Sequence, residues 1–135
     1  MRRYAKIENM DYRFTKEDLE HDPEYMIAAF PAGKTNDWYP AEDNGLIEHC
    51  SERIFFTLVR VAEAYQLHFP TQLSENLYDR SVMRNAQVES LLDQLEFIYE
   101  LVNDDELKNC INTISKLSGK VCQSNGKLEL VFEGP

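Results

Sequence analysis

Hydrophobic residues recur at helical spacing across residues 85–103, the longest such stretch in the chain, and no Gly or Pro interrupts it. At 100° per residue, seven apolar side chains share one broad face: Val88, Leu91, Leu92, Leu95, Ile98, Tyr99 and Val102. The pattern predicts an amphipathic helix whose apolar face packs against the rest of the protein. We expect the other elements to assemble around this helix.

Three further stretches have the periodicity or the boundary signals of helices. Residues 46–67 place Ile47, Cys50, Ile54, Leu58, Val61 and Tyr65 at three- and four-residue steps, which predicts a second long helix. Asp22-Pro23 is a start signal that predicts a shorter helix over residues 23–30. A last helix is predicted to begin after Asp104 or Asp105 and to end at Ser118-Gly119.

The C-terminal segment changes to a period of two. Asn125-Gly126 lies between residues 120–123 and residues 127–133, and this dipeptide is typical of a hairpin turn. In the second run one set of apolar side chains alternates with a second set, so one buried face is expected: Leu128, Leu130 and Phe132 alternate with Lys127, Glu129, Val131 and Glu133. The hairpin must either lie against the helices or pair with a short N-terminal strand within residues 2–10. The predicted fold is therefore α+β, a predominantly helical single domain (residues 1–135) with a small C-terminal β-hairpin, alone or joined by that strand.

The charge of the chain limits its partners. Among 135 residues, 24 are acidic and 14 are Lys or Arg, which gives a net charge of −10. Direct binding to DNA or RNA is not expected, because that affinity depends on cations that neutralise phosphates. An acidic membrane surface would repel the protein for the same reason. A basic protein is the natural complement.

The remaining composition predicts a cytoplasmic protein. The three cysteines, Cys50, Cys110 and Cys122, are an odd number without CxxC spacing, which favours reduced thiols over a disulfide framework. No apolar run approaches the roughly 18–20 residues that a membrane span requires. The N-terminal residues have the charges of a signal peptide but no apolar segment after them.

Four acidic residues form a second face of the predicted central helix. Glu89, Asp93, Glu96 and Glu100 fall within roughly 60° of arc, and we call them the acidic ridge. No Lys or Arg occurs across residues 85–107, although like charges four residues apart cost stability. The ridge is either an ordinary solvated face or a surface complementary to a basic protein.

Other candidate binding residues flank the ridge or lie far from it in sequence. Asp104 and Asp105 extend the negative patch, although their position also suits a cap for the next helix. Trp38 and Tyr39 lie in a polar loop, where they are either a binding hot spot or aromatic residues that pack into the core. Phe97 lies off the main apolar face, so a neighbouring element or a partner must cover it.

No sequence motif indicates catalysis, a metal or a cofactor. His21, His49 and His68 are far apart, and none belongs to a nucleophile or metal signature. His49 and Cys50 with Glu48 and Glu52 supply ligand atoms without the His spacing usual for zinc on a helix. None of the five glycines is arranged as a phosphate-binding loop. We therefore predict a protein that is not an enzyme and that needs no cofactor.

The chain resembles the bacterial immunity proteins that neutralise toxin domains of contact-dependent growth inhibition and related polymorphic toxin systems. The resemblance lies in its small acidic chain, in the acidic ridge and in the C-terminal strand that ends KLELVFEGP. It implies a cognate toxin partner, typically a basic nuclease domain, bound in the cytoplasm by a monomer as a 1:1 heterodimer. Such an antitoxin would act by protein–protein interaction that occludes the toxin's substrate-binding surface.

Three alternatives stay open at this point. One is an acidic adaptor or regulatory subunit for another basic protein. A second is an enzyme without a readable signature, whose acids and histidines converge only in three dimensions. A third is a homo-oligomeric structural protein that uses apolar area around Phe55 and Phe97.

Overall fold

A four-stranded antiparallel sheet packed against helices forms the protein. The computed structural model describes residues 16–32, 47–72 and 80–133. Nine elements follow in chain order: α1 Lys16–Leu19, β1 Glu24–Pro31, β2 Ile47–Ser51, α2 Glu52–Ala64, α3 His68–Gln72, β3 Arg80–Met83, α4 Asn85–Leu101, α5 Asp105–Gln123 and β4 Leu128–Glu133. The strand order is β2-β1-β4-β3. The α+β class predicted from sequence is confirmed, with more sheet than the single expected hairpin.

The predicted helix over residues 23–30 is wrong, because this segment is strand β1. It pairs with β2 on one side and β4 on the other, both antiparallel. Ile27 and Ala29 belong to the main core, whereas Ala28 and Phe30 belong to a small cluster on the opposite face. A strand buried on both faces has a continuous apolar sequence, so the alternation that identifies a half-buried strand is missing.

The predicted helix over residues 46–67 is correct only in its later part. Residues 47–51 form edge strand β2, and α2 begins at Glu52 and ends at Ala64. The chain turns at Ser51, whose Oγ donates a hydrogen bond of 2.8 Å to the Asp22 carboxylate before β1. Ile47 and Cys50 fit the helical period, but their backbone hydrogen bonds go to β1 instead.

The central and last helices are confirmed, with shifted ends. Helix α4 ends at Leu101, and Val88, Leu91, Leu95 and Ile98 are its buried residues. Helix α5 runs through Ser118 and Gly119 to Gln123, so the predicted strand over residues 120–123 is wrong. Val121 continues the buried face of the helix, and this apolar contact favours one more turn.

The Asn125-Gly126 turn joins helix α5 to strand β4 rather than two strands. Both residues have positive φ, 56° and 82°, which is the backbone conformation that favours Asn and Gly. Strand β4 lies between β1 and β3, so both of its edges are paired, and its residues 129–132 are buried on both faces of the sheet. Val131 and Glu129, which alternation predicts to face outward, are buried.

Glu129 is stabilised in this position by a cation. Its Oε1 accepts a hydrogen bond of 3.0 Å from Arg84 Nε, which lies just before α4. The predicted N-terminal strand within residues 2–10 lies outside the described residues.

The core lies between the sheet and helices α2, α4 and α5. Its largest fully buried side chains include Tyr25, Phe55, Leu58, Leu95, Leu107 and Phe132. Tyr25 stacks on Phe55 with ring centroids 4.1 Å apart. Within the described part of the chain, no helix is long and apolar enough to span a bilayer.

Candidate protein-binding surface

The four carboxylates of the acidic ridge lie exposed on one side of α4. Glu89, Asp93, Glu96 and Glu100 follow one another at steps of four, three and four residues, while the opposite face of the helix is buried in the core. Because α4 is packed on α5 and the core, the ridge is held on a rigid element. A fixed row of like charges presents a more directional field than the same charges on a loop.

A groove runs beside the ridge, between α4 and α5. Its volume is about 390 Å³. Leu92, Asp93, Glu96, Tyr99 and Glu100 line it from α4, and Ile111, Asn112 and Ser115 line it from α5. Three carboxylates of the ridge therefore stand beside partly exposed apolar surface. Apolar contact area with adjacent charge is the combination found where proteins bind one another.

The ridge keeps its charge available for a partner. Within residues 16–32, 47–72 and 80–133, the ion pairs join Arg53 to Asp22, Arg84 to Glu129 and Lys116 to Glu48, and none includes a ridge carboxylate. Lys108 contacts one wall of the groove, since its Nζ lies 4.9 Å from the centroid of the Tyr99 ring.

Cys122 marks one end of the ridge. Desolvation by burial and the nearby Glu89 carboxylate raise the pKa of this thiol. Glu89 therefore lies toward the C-terminal part of α5, whereas Glu100 lies near the connection to the first turn of α5. The ridge follows α4 along most of its length.

Asp104 and Asp105 differ in their surroundings, although they are adjacent in sequence. Asp104 is only 5% exposed, and its Oδ1 accepts a hydrogen bond of 2.8 Å from the Leu107 backbone amide. It is the N-cap of α5, so its carboxylate has a structural role and does not extend the open surface. Asp105 is exposed in the first turn of α5.

The predicted aromatic sites have different outcomes. Trp38 and Tyr39 lie outside the described residues. Phe97 is 40% exposed and packs edge-to-face on Tyr65, with ring centroids 5.5 Å apart, so α2 covers one part of it. Phe55, the other residue suggested for an oligomer interface, is fully buried in the core.

Sequence reasoning missed the part of the surface that α5 contributes. Ile111, Asn112 and Ser115 complete the groove, but their sequence has no binding signal, and Tyr99 fits a core position equally well. The helical spacing of apolar residues in α5 was the signal that could have found them. Residues 111 and 115 are one turn apart on that helix, on the side next to the core.

The described histidines lie near few acidic side chains, as the enzyme alternative would require of them in greater number. His49 lines a small pocket with Glu106, the one carboxylate there among the described residues, and His68 packs edge-to-face on Phe69. Among those same residues, no group of three or more His, Cys, Asp or Glu side chains is placed to hold a metal ion.

Comparison with known proteins adds no relative. No family model matches the sequence, and neither a curated protein nor a solved structure shows significant similarity to it.

Proposed function

We propose that the protein is an immunity protein that binds a cognate toxin domain and occludes its basic, nucleic-acid-binding surface. One observation carries the proposal: the exposed acidic ridge on α4 borders a groove with apolar side chains and makes no ion pair within the described residues. A chain of net charge −10 that places such a ridge on a rigid helix suits a basic protein partner.

Electrostatics supports this kind of partner. A nuclease domain carries Lys and Arg where it binds phosphates, and a row of carboxylates at similar spacing competes for the same cations. Opposite fields accelerate association and orient the two proteins before contact. Rapid capture suits an inhibitor that must act before the toxin reaches its substrate.

The groove adds apolar contact area to the charges of the ridge. Exposed ion pairs contribute little affinity, because both ions are well solvated before binding. Leu92 and Tyr99, both partly exposed, give the partner apolar area to bury beside the charges. Partial desolvation of the charges by this contact strengthens their pairing with Lys and Arg.

An acidic adaptor for another basic protein would use the same surface. The two functions differ in their consequence, because only an immunity protein abolishes a toxic activity. They also differ in gene context, since only an immunity protein is expected to be encoded next to a secreted toxin.

The test uses the toxin domain encoded immediately upstream of this chain. Expression of that domain alone should stop growth, and co-expression of this protein should restore it. In solution, the nuclease activity of the purified domain on labelled RNA and DNA should fall to background at a 1:1 ratio. Growth arrest that this protein does not relieve, or the absence of a toxin gene beside it, would contradict the proposal.

A further inference from the structure

Phe97 is a large apolar side chain that the fold leaves open on helix α4. It is 40% exposed, and within the described part of the chain the one large hydrophobic residue of similar exposure is Val82, at 41%. The groove beside the acidic ridge does not include Phe97. Because a single exposed apolar residue is ordinary on a protein surface, the surroundings of Phe97 decide whether it has a function.

Phe97 lies next to the acidic ridge on the same helix. Residues three and four apart are neighbours on a helix surface, which places Phe97 between Asp93 and Glu100, two carboxylates of the ridge. At 100° per residue, Phe97 lies on the opposite side of the ridge from Leu92 and Tyr99, which line the groove. The ridge therefore has apolar side chains along both of its borders.

The Phe97 ring lies on a fixed support. Its centroid is 5.5 Å from that of Tyr65, edge-to-face, and Tyr65, at the end of α2, is 2% exposed. One turn earlier on α4, the Gln94 side-chain oxygen accepts a hydrogen bond of 3.0 Å from the Phe69 backbone amide on α3. Helices α2 and α3 thus brace α4 on this side, so that little conformational freedom is lost when a partner covers the ring.

The charges beside the ring determine which partner fits. Two copies of this chain that packed their Phe97 rings together would bring Asp93 and Glu100 of both copies close, and like charges at an interface oppose binding. Nucleic acid and an anionic membrane carry the same sign of charge as these carboxylates. The complementary surface is an apolar pocket with Lys or Arg at its rim, because one contact then buries the ring and pairs the carboxylates.

We propose that Phe97 is the apolar anchor of the toxin complex and inserts into an apolar pocket that basic side chains surround on the toxin domain. This inference rests on the proposed function, and it extends the binding surface across α4 to the side away from the groove. The carboxylates of the ridge accelerate the approach of the partner. The buried ring then slows dissociation, and the water that it excludes strengthens the neighbouring ion pairs.

The experiment compares the association and dissociation rates of the toxin domain with wild-type protein and with Phe97→Ala. Val82→Ala is the matched control, because Val82 is equally exposed but pairs with Val131, on the sheet face opposite the main core. Phe97→Ala should raise the dissociation rate by at least about tenfold and change the association rate by less than about twofold. Val82→Ala should change neither rate by more than about twofold.

Salt dependence distinguishes the apolar anchor from the charges around it. Added salt screens the carboxylates, so it should lower the association rate of every variant. The ratio of the dissociation rates of Phe97→Ala and wild type should stay constant, because burial of an apolar ring does not depend on screening. A ratio that falls toward one at high salt would overturn the anchor role and assign the effect of the variant to electrostatics.

A conservative variant keeps the test independent of folding. Phe97→Leu retains most of the apolar volume, and its dissociation rate should lie between those of wild type and Phe97→Ala; urea unfolding of each variant checks that it is folded, and Phe97→Leu decides if Phe97→Ala is not. Equal dissociation rates of the Phe97 variants and Val82→Ala, with the toxin still neutralised by wild type, would overturn this inference and leave the immunity function standing. A toxin domain that wild type neither binds nor inhibits would overturn both. A wild-type homodimer that Phe97→Ala dissociates would overturn this inference in favour of self-association.

Discussion

The Lys108 ammonium group lies over the Tyr99 ring, with Nζ 4.9 Å from the ring centroid. The contact joins the first turn of α5 to the end of α4, and Tyr99 is also a wall of the groove. A cation at this place balances part of the negative field on the free protein. It is also the group that a basic partner would meet as a like charge.

Neutralisation of Lys108 should therefore strengthen binding to a basic toxin domain. Lys108→Gln removes a repulsive charge at the groove, and we expect an affinity gain of about 2–10-fold, measured by titration calorimetry. Lys127→Gln is the matched control, because this exposed lysine lies at the turn before β4 and should change the affinity much less. Equal gains in both variants would indicate a general effect of net charge rather than a local contact.

The acidic ridge should reduce the stability of the free protein. Glu89–Asp93, Asp93–Glu96 and Glu96–Glu100 are like-charge neighbours on a helix, and each such pair costs about 0.2–0.5 kcal/mol. The ridge variant, with all four residues changed to Gln or Asn, should thus be more stable by about 0.5–1.5 kcal/mol in urea unfolding at low salt. A lower stability would show that the carboxylates support the fold instead.

Replacement of Asp104 should lower the free energy of unfolding much more than replacement of Asp105. Asp104→Ala removes the buried acceptor of the Leu107 amide, and loss of this N-cap should reduce the free energy of unfolding by about 1–2 kcal/mol. Asp105→Ala should change it by less than about 0.5 kcal/mol, as is usual for an exposed position. Similar losses in both variants would argue against the capping role of Asp104.

The Cys110 thiol should make unfolding sensitive to alkaline pH. Its pKa is raised in the folded state, so the unfolded chain loses this proton at a lower pH than the folded chain does. The contribution to stability is complete below the ordinary thiol pKa of about 8.5 and declines as the pH rises through the folded value. The urea midpoint of reduced wild-type protein should therefore fall above about pH 8.5 more steeply than that of Cys110→Ala. Parallel pH profiles would contradict this account.

The sequence was sufficient for elements with an amphipathic period. Helix α4 is exposed on one side and buried on the other, so residues 85–101 match the predicted helix closely. Helix α5 shows the same pattern, and Asp104 caps it as expected. The positive φ values of Asn125 and Gly126 also agree with the turn, although no local signal indicates which elements the turn connects.

The strands were harder because their burial is decided by distant partners. Strand β1 is covered on both faces, and its Met-Ile-Ala-Ala-Phe sequence suits a helix as well as a central strand. Strand β2 is followed directly by α2, and the helical spacing of apolar residues continues through both elements in the sequence. Only pairing between β1, β2 and β4 resolves these cases, and that pairing joins residues up to 107 positions apart, as for Met26 and Glu133.

The candidate surface was predictable in its charge and not in its shape. Spacing alone placed Glu89, Asp93, Glu96 and Glu100 on one face. The groove depends on how α5 packs beside α4, and its residues from α5 have no charge or motif that distinguishes them.

The measurement that tests the central claim most directly is calorimetric titration of the toxin domain that we expect to be encoded upstream, with three forms of this protein. These are the wild type, the ridge variant and a control variant in which the exposed Glu17, Glu20, Glu24 and Glu63 become Gln, so that both variants lose four negative charges. We expect 1:1 binding by the wild type, at least a tenfold weaker affinity for the ridge variant and a much smaller change for the control. Undiminished affinity of the ridge variant, or an equal loss in both variants, would contradict the claim that the acidic ridge is the binding surface.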